Sequence, residues 1–522
     1  MASDEQHFTS EGHQWTPQAG FLSGIPSIGV IKPASKGPSN KVHDVLVIGA
    51  GYAGLTALRD LTVAGHDVML VEARDRIGGR TWSSNIDGYA FEMGGTWVHW
   101  NQPFVWRELA RYGMSKDLEV SPVTGKGLDR ARFVKPDGSS VDLSREEEFN
   151  TLDTAVRKFV NVDGQYGRLL IPFPHNPHFN AEDVARYDAM SFADRFAQIE
   201  HDVTPLQLQL LKTFLSVTSG GTMENSAFFE FLRWWALNNY DLRGLSELCL
   251  TYKLRDGQSA LARQLFDDAV ATGHLTYRFG APVASVTDPA GDGPVEVRTR
   301  AGETFRARRV VATVPLNVLN DISWSPPLLA GKRKAAAQGH VNHCTKVHAE
   351  VANPDLRSFT GYHWEGPLSW TFGDGITPAG NTHLVCFGPS YPGIQLKPAS
   401  DAGRGALAAV KAFAPSEMAD VRRLVFHDWN EDEFAKGTWE FLAPGMATNY
   451  LDDLRRRQGR VLFASADWAM GWRGFIDGAI EDGANAAMEL ALEFRAAKEG
   501  QQPDRNAGKR VLHNFLMAGW PS

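Results

Sequence analysis

The first part of the chain alternates short apolar runs with glycines and one helix-spaced segment. Residues 44–48 form an apolar run that predicts a buried strand, and residues 55–64 place leucines on one helical face before Gly65, which we expect to end the helix. Residues 67–71 predict a second buried strand. The order strand, helix, strand predicts a right-handed βαβ unit and therefore a parallel sheet.

Later segments predict a return to this sheet and a second, different layer. The runs that predict further strands of the first sheet are residues 282–286, 296–300, 309–315 and 460–464. A long helix is predicted over about 477–495, and residues 191–240 predict aromatic-rich helices. The runs that predict strands of a mixed sheet are residues 346–351, 383–387 and 423–426. We therefore expect two interleaved domains, each assembled from separated segments.

The composition is that of a globular protein without nucleic-acid or membrane features. The 522 residues are 43% hydrophobic and 22% charged, and the net charge of −8 is spread along the chain without a basic block, which argues against a nucleic-acid groove. No apolar run approaches the roughly 18 residues of a membrane span, and no signal-peptide pattern opens the chain. Because Cys249, Cys344 and Cys386 lie far apart, we expect no disulfide, no metal site and a reducing, intracellular compartment.

Residues 49–54 read Gly-Ala-Gly-Tyr-Ala-Gly, the G-x-G-x-x-G spacing of dinucleotide-binding loops. The spacing alone is weak evidence because the chain has 50 glycines, but here a predicted strand precedes it and a predicted helix follows. Gly49 permits the tight turn, Gly51 lets a pyrophosphate approach the backbone, and Gly54 lets helix and strand pack closely. Glu72, at the end of the second strand, can accept hydrogen bonds from ribose hydroxyls. These residues predict a dinucleotide site and leave NAD and FAD both open.

Two further glycine pairs follow this strand. The first pair, at residues 78–79, is flanked by Arg74, Arg76 and Arg80. Such a loop suits a second contact with a pyrophosphate, although a charged surface loop fits the same pattern. The second pair, at residues 94–95, stands where the backbone can pass a flat ring.

With residues 72–80 followed by residues 93–99, the chain resembles the FAD-dependent amine oxidases, and among them the soluble fungal monoamine oxidases. The resemblance runs from about residue 42 to residue 497, and it implies an FAD cofactor. The positions that the loop and the resemblance together assign to FAD are Gly49, Gly51, Ala53, Gly54, Glu72, Arg74, Gly79, Arg80, Gly95, Thr96, Val283, Asp467, Ile476 and Ala479.

Lys346 is the candidate catalytic residue, and its two interpretations differ. Lys346, His348 and Glu350 alternate with small apolar residues, so the pattern alone favours a solvated strand face. The resemblance instead implies the lysine that holds a water against flavin N5 and assists the reaction with oxygen. For His348 we expect a structural role.

Trp439 and Phe475 match the two rings of the aromatic cage that guides the amine in this family, although the pattern alone predicts two core residues. The helix after Phe475 is expected to point its N-terminus at the flavin. Thr438 stands where the animal enzymes attach flavin to a cysteine, and no cysteine is near it in the sequence, so we expect FAD to be noncovalent. The aromatic segment 224–240 is expected to wall the substrate cavity, with some of its rings in the core.

The predicted fold is α/β, with a Rossmann-like FAD-binding domain interleaved with an α+β substrate domain. The predicted boundaries are an arm (1–40), FAD-binding segments (41–120, 251–330, 455–497), substrate segments (121–250, 331–454) and a tail (498–522).

The predicted function is oxidation of a primary or secondary monoamine by O2, in the cytoplasm, by a protein that the resemblance implies to be a homodimer. A peroxisomal location stays open, although the C-terminus lacks an S-K-L type signal. The alternatives are an amino-acid or polyamine oxidase, and, from another class, an NAD(P)H-linked flavin dehydrogenase. The latter needs a second nicotinamide site, and the chain has no second G-x-G-x-x-G.

Overall fold

The computed structural model describes residues 7–34, 41–389 and 395–500. The predicted tail lies outside the described residues beyond residue 500, as do both ends of the predicted arm. The strands in chain order are β1 (His13–Thr16), β2 (Gly20–Ser23), β3 (Val42–Ile48), β4 (Val68–Val71), β5 (Ser83–Ile86), β6 (Tyr89–Glu92), β7 (Leu118–Val120), β8 (Arg130–Val134), β9 (Ser140–Ser144), β10 (Tyr252–Leu254), β11 (Leu275–Arg278), β12 (Val283–Thr287), β13 (Val295–Thr299), β14 (Thr304–Ala312), β15 (Ser323–Ser325), β16 (Thr345–Val351), β17 (Thr360–His363), β18 (Trp370–Ile376), β19 (Thr382–Gly388), β20 (Val421–Phe426) and β21 (Val461–Phe463).

The α-helices are α1 (Tyr52–Val63), α2 (Pro103–Arg111), α3 (Arg145–Val160), α4 (Ala181–Asp188), α5 (Phe192–Ile199), α6 (Pro205–Ser219), α7 (Phe228–Leu237), α8 (Leu242–Leu250), α9 (Gln258–Ala271), α10 (Ala330–Gln338), α11 (Arg404–Phe413), α12 (Met446–Arg455) and α13 (Ile476–Lys498). Among the described residues, no helix is long and apolar enough to cross a membrane.

The first sheet has the order β11-β4-β3-β14-β13-β12-β15, with β21 beside β14. Strands β11, β4, β3, β14 and β21 pair in parallel, and α1 connects β3 to β4. These strands are continuous apolar runs because both faces of the sheet are buried. Val45 and Val47 pack in one core cluster with residues of α1, α9 and α13, and Leu46 and Ile48 pack in another. The predicted βαβ start and parallel sheet are therefore confirmed.

The second sheet is mixed and has the order β2-β1-β20-β16-β19-β18-β17-β8-β9. The three predicted strands of the mixed sheet are its β16, β19 and β20, and every residue of β16 and β19 is buried. Strands β1 and β2 come from the segment predicted as an arm, and their residues gave no strand pattern. They extend the sheet because β1 pairs with β20 and β2 pairs with β1. The predicted α/β fold class is confirmed.

Candidate active site

A cavity of about 1160 Å³ opens at the carboxyl ends of the parallel strands. Gly49 follows β3, Glu72 follows β4, Thr313 follows β14, and all three line the cavity. Ligands of open α/β sheets bind at this edge, where loops connect the strands. The predicted FAD residues that line the cavity are Gly49, Gly51, Ala53, Glu72, Arg74, Gly79, Arg80, Gly95, Thr96, Val283, Ile476 and Ala479.

Two helices begin at the cavity wall. Helix α1 starts after Gly51, which caps it without a side-chain hydrogen bond, and Gly51 and Ala53 line the cavity. Helix α13 starts after Phe475, and Ile476 and Ala479 line the cavity. The unpaired N–H groups and the dipole of a helix N-terminus favour negative charge. The cavity is therefore suited to an anionic, elongated ligand.

Glycines bring the two nucleotide loops together. A Cβ atom at Gly54 would lie 2.0 Å from the Gly49 carbonyl oxygen, so helix α1 could not pack so closely on the turn after β3. Gly79 has a φ of +59°, and a Cβ there would lie 3.1 Å from Cα of Gly51. Gly54 does not line the cavity. It allows α1 to pack closely on the turn after β3, which is the role predicted for it.

The arginines of the second loop are engaged within the protein. Arg74 donates two hydrogen bonds to the Asp432 carboxylate, at 2.8 and 2.9 Å, and also pairs with Glu11. Arg76 is fully buried and donates to the same Glu11 carboxylate at 2.7 Å. The alternative of a charged surface loop is therefore wrong, and two carboxylates balance these two guanidinium charges.

Arg80 is held by Asp467 and by the carbonyl oxygen of Thr438, 2.8 Å from Arg80 Nη1. Asp467 also accepts the Leu316 N–H at 2.8 Å. Burial alone would raise the pKa of Asp467, but the Arg80 guanidinium holds it below its ordinary value. Asp467 does not line the cavity, whereas Arg80, its ion-pair partner, does. The predicted contact of Asp467 with the cofactor stays a prediction.

Lys346 lines the cavity from strand β16. Its Nζ donates to the Gly94 carbonyl oxygen at 2.9 Å and to Thr96 Oγ1 at 2.7 Å. Burial lowers the pKa of Lys346, although Glu92 acts in the opposite direction. The solvent-exposed strand face that the alternating pattern alone predicted is not observed, because Lys346, His348 and Glu350 are each less than 10% exposed.

Trp439 and Phe475 both line the same cavity as Lys346. Trp439 Nε1 donates to the Thr218 carbonyl oxygen at 2.9 Å, which fixes the indole. Phe475 packs against Trp234, with ring centroids 4.7 Å apart. The structure thus brings the three predicted catalytic residues to one chamber.

The mixed sheet adds an aromatic wall that was not predicted from the sequence. Trp370 and Phe387 are stacked with centroids 5.9 Å apart, and Phe387 meets Trp439 edge-on at 6.3 Å. Phe372 and Trp97 complete this wall. The alternation of Trp370 and Phe372 along one strand was the available signal, because residues two apart share a face.

The aromatic segment 224–240 is mainly core. Its helix α7 is buried along its whole length, and Trp234 is the residue of the segment that lines the cavity. Phe228, Phe229, Phe231 and Trp235 pack away from it, in the helical core. The expectation that this segment walls the chamber holds for one side chain.

The residues present fit FAD. A continuous cavity joins the glycine loops and the α1 N-terminus, which can hold the diphosphate, to Lys346 and the aromatic rings, where a flat ring system has room. Thr438 lines this cavity and donates to Asn342 Oδ1 at 2.5 Å. Cys249, distant from Thr438 in the sequence, also lines it and packs in the same cluster as Phe475. Burial raises the pKa of Cys249 to about 12, so this thiol is not poised as a thiolate.

Comparison with known proteins agrees with this geometry. The sequence profile of the family described as flavin containing amine oxidoreductase matches residues 52–491. The chain is 31% identical to a pseudooxynicotine dehydrogenase of a Pseudomonas species over 458 aligned residues, and the alignment covers 87% of each chain. It is 29% identical over 448 residues to a nicotine dehydrogenase of Pseudomonas putida, covering 86% of this chain and 88% of the relative.

The fold also matches a solved structure. Cyclohexylamine oxidase from Brevibacterium oxydans superposes with a TM-score of 0.69 at 20% identity, covering 87% of this chain and all of that one. From the profile match, the strand-end cavity and the glycine loops, the chain belongs to the family of flavin-containing amine oxidoreductases, whose cofactor is FAD.

Proposed function

We propose that this protein is an oxidase that converts a monoamine, O2 and water into an aldehyde, ammonia and H2O2, with FAD bound noncovalently. The observation that carries the proposal is one cavity in which Lys346 faces a chamber of aromatic side chains, Trp439 and Phe475 among them. When bound, FAD supplies the oxidising power by accepting two electrons from the carbon–nitrogen unit of the amine.

The protein residues bind and orient the amine. The faces of Trp439 and Phe475 can hold an amine between apolar surfaces and attract its nitrogen. An aromatic chamber favours the neutral form of an amine because a charge there loses its hydration. Lys346 keeps a hydrogen-bonding ammonium or amine group at the chamber wall, where it can hold a water.

An ion pair in the cavity wall favours a monoamine over a polyamine or an amino acid. Arg145 pairs with Glu148, and Glu148 accepts the Tyr362 hydroxyl at 2.6 Å, while all three line the cavity. A carboxylate or guanidinium that is already paired gains less from a charged substrate. The alternative of an amino-acid or polyamine oxidase is therefore the weaker one.

A second candidate is oxidation of a nicotine-related amine with an electron acceptor other than O2. It is favoured by the names of the two relatives described above, both dehydrogenases of such compounds. The aromatic wall formed by Trp370, Phe372 and Phe387 offers a flat surface for a heteroaromatic ring. The two candidates share the chamber and differ in substrate and acceptor.

A substrate panel separates them. Purified protein is given n-alkylamines, benzylamine, putrescine, nicotine and pseudooxynicotine, and H2O2 is measured in air. The proposal expects peroxide in a 1:1 ratio with aldehyde from the monoamines. Turnover of nicotine-related amines alone, with an added acceptor such as a cytochrome and no peroxide, would instead support the second candidate. Cytoplasmic location and assembly as a homodimer stay predictions.

A further inference from the structure

A line of hydrogen bonds lies beside Lys346 in the interior. His348, two residues further along β16, has Nε2 2.7 Å from the Glu92 carbonyl oxygen. Its Nδ1 lies 2.8 Å from Nε2 of His383, whose Nδ1 lies 3.0 Å from the Tyr89 hydroxyl. The Tyr89 hydroxyl is in turn 3.3 Å from Nζ of Lys253. Both imidazoles are 1% exposed, so bulk water does not compete for these bonds.

The Glu92 carbonyl determines the direction of the bonds that end at it. A carbonyl oxygen only accepts, so His348 Nε2 carries a hydrogen, and Nδ1 of a neutral His348 must accept. His383 Nε2 is then the donor to it. Lys253 donates to the Tyr89 oxygen. The chain therefore runs one way, from His383 Nε2 to the Glu92 carbonyl.

Asp374 bears on the charge of His383 and not on the direction of the chain. Its Oδ2 lies 3.0 Å from His383 Nδ1 and favours a hydrogen on that nitrogen, and an imidazolium of His383 still donates through Nε2 to His348. That carboxylate is already paired with Lys253 and hydrogen-bonded by Ser121. Burial lowers the pKa of both histidines, and the positive charge of Lys346 acts in the same direction. The ionisable groups that face the pair from the packed elements are Lys346 and Glu350 on β16, Glu92 and Tyr89 on β6, Asp374 on β18 and Lys253 on β10.

The chain ends on the segment that carries Lys346's partners. The Glu92 carbonyl accepts from His348, and two residues later the Gly94 carbonyl accepts from Lys346. Thr96 Oγ1 is the other acceptor of Lys346. Strand β16 is thus hydrogen-bonded to residues 92–96 through two side chains, Lys346 and His348. Of these two side chains, His348 does not line the cavity.

We propose that His348 and His383 are positioning residues for Lys346, forming a donor chain that ends at the Glu92 carbonyl and holds residues 92–96 in place. The catalytic part of this inference rests on the proposed function of Lys346. The hydrogen-bond assignment itself does not.

The tautomers are tested by NMR of the FAD-loaded protein labelled with 15N-histidine. The cross-peaks of His348 and His383 are assigned by their loss in His348→Gln and His383→Gln. His348 is expected as an Nε2–H tautomer that does not titrate between about pH 6 and 9, where an ordinary histidine does, and His383 should carry a hydrogen on Nε2. A hydrogen on His348 Nδ1, its absence from His383 Nε2, or titration of His348 in this range would overturn the chain.

The positioning role is tested by half-reaction kinetics and the visible spectrum of the bound flavin. His348→Leu removes both the donor and the acceptor of the ring, so we expect the oxygen step to slow about fivefold, the effect of one hydrogen bond of typical strength, while reduction by the amine changes little. His348→Gln can donate to Glu92 and accept from His383, and should restore the rate and the flavin absorption band. His43→Leu, at a buried histidine of β3, is the control for loss of an imidazole elsewhere.

Equal defects in the Leu and Gln variants, or an unchanged His348→Leu, would overturn the positioning role. A Lys346→Met variant measured beside them separates the two failures. If Lys346→Met slows the oxygen step and His348→Leu does not, the positioning role alone is wrong. If Lys346→Met itself has no effect, the function proposed for Lys346 is wrong, and the NMR result still decides the hydrogen-bond chain.

Discussion

Burial of Lys346 determines what its amino group can do. In water a lysine is charged at neutral pH, but here the side chain is 5% exposed and bonded to one carbonyl and one hydroxyl oxygen. These two acceptors leave one position of Nζ for a water or a ligand in the cavity. A lysine in this state can hold and move a proton at the chamber wall.

Replacement of Lys346 by Met keeps the length of the side chain and removes the hydrogen-bonding nitrogen. We expect reoxidation by O2 to slow by about a hundredfold, the usual contribution of a positioned proton-transfer group, with a much smaller effect on reduction by the amine. Stopped-flow spectroscopy of the two half-reactions measures both rates. An oxygen step equal to that of the unchanged protein contradicts the role of Lys346.

Lys332 is another buried lysine, and it lies away from the cavity. Its Nζ donates to the Leu454 carbonyl oxygen and lies 4.0 Å from the centre of the Phe463 ring. Burial lowers the pKa of Lys332 to about 7. Between this value and the ordinary lysine pKa the unfolded chain binds the extra proton, so stability should rise with pH by about 1.4 kcal/mol per unit from this group.

The measurement compares the protein with Lys332→Met by chemical denaturation at several pH values above neutrality. The variant loses the hydrogen bond to Leu454 at every pH, which shifts its unfolding free energy by a constant amount. Only the titration of Lys332 changes how the unfolding free energy depends on pH. The difference in unfolding free energy should therefore grow with pH. Parallel stability curves would show that Lys332 stays charged in the folded protein.

At the scale of elements, the turn between β3 and α1 depends on the absence of side chains. At Gly54 an added Cβ would lie 2.0 Å from a backbone oxygen, which cannot move away as a flexible side chain does. Gly54→Ala should therefore displace the start of α1 and abolish FAD binding. Gly65→Ala, at the other end of α1, is the matched control.

Gly65 has a φ of +84° and no atom within 4 Å of an added Cβ, so alanine there meets only backbone strain. That strain is about 1 kcal/mol, and FAD binding should be retained. Flavin content after purification and the thermal midpoint measure both effects. Normal flavin content in Gly54→Ala would contradict the packing account.

The sequence predicts the elements whose signal is local. Strand β3, helix α1 and strand β4 were predictable because a buried parallel strand is a continuous apolar run and the glycine spacing marks the turn. The face of Lys346 was mispredicted because alternation reports polarity and not burial, and the strand β6 that covers this face is distant in sequence. The pairing of Arg74 with Asp432 spans 358 positions, beyond any local pattern.

At the scale of the molecule, the cavity lies between two sheets with separate tasks. The parallel sheet places glycines and helix N-termini, and the mixed sheet places Lys346 and the aromatic wall. The amino-terminal segment contacts both parts of the protein. Its Glu11 pairs with Arg74 and Arg76 of the nucleotide loop, and its strand β1 pairs with β20 of the mixed sheet. Cofactor binding should therefore stabilise both sheets together.

Noncovalent attachment of FAD is a prediction for the whole protein. Thr438 has no nucleophilic thiol, and the pKa of Cys249, raised to about 12, keeps its thiol protonated. Acid precipitation should leave the yellow colour in the supernatant, where absorbance and mass spectrometry identify FAD. A yellow pellet would indicate a covalent bond, and peptide mapping of Cys249→Ser would then show whether Cys249 forms it.

The central claim is that amine electrons enter FAD in the chamber of Lys346, Trp439 and Phe475, and leave to O2. The most direct measurement is anaerobic mixing of the yellow protein with benzylamine, followed by air, with the visible spectrum recorded throughout. The claim predicts that the absorption near 450 nm, characteristic of oxidised flavin, bleaches with the amine and returns with air as H2O2 appears. A spectrum that stays unchanged with every amine of the panel would contradict it.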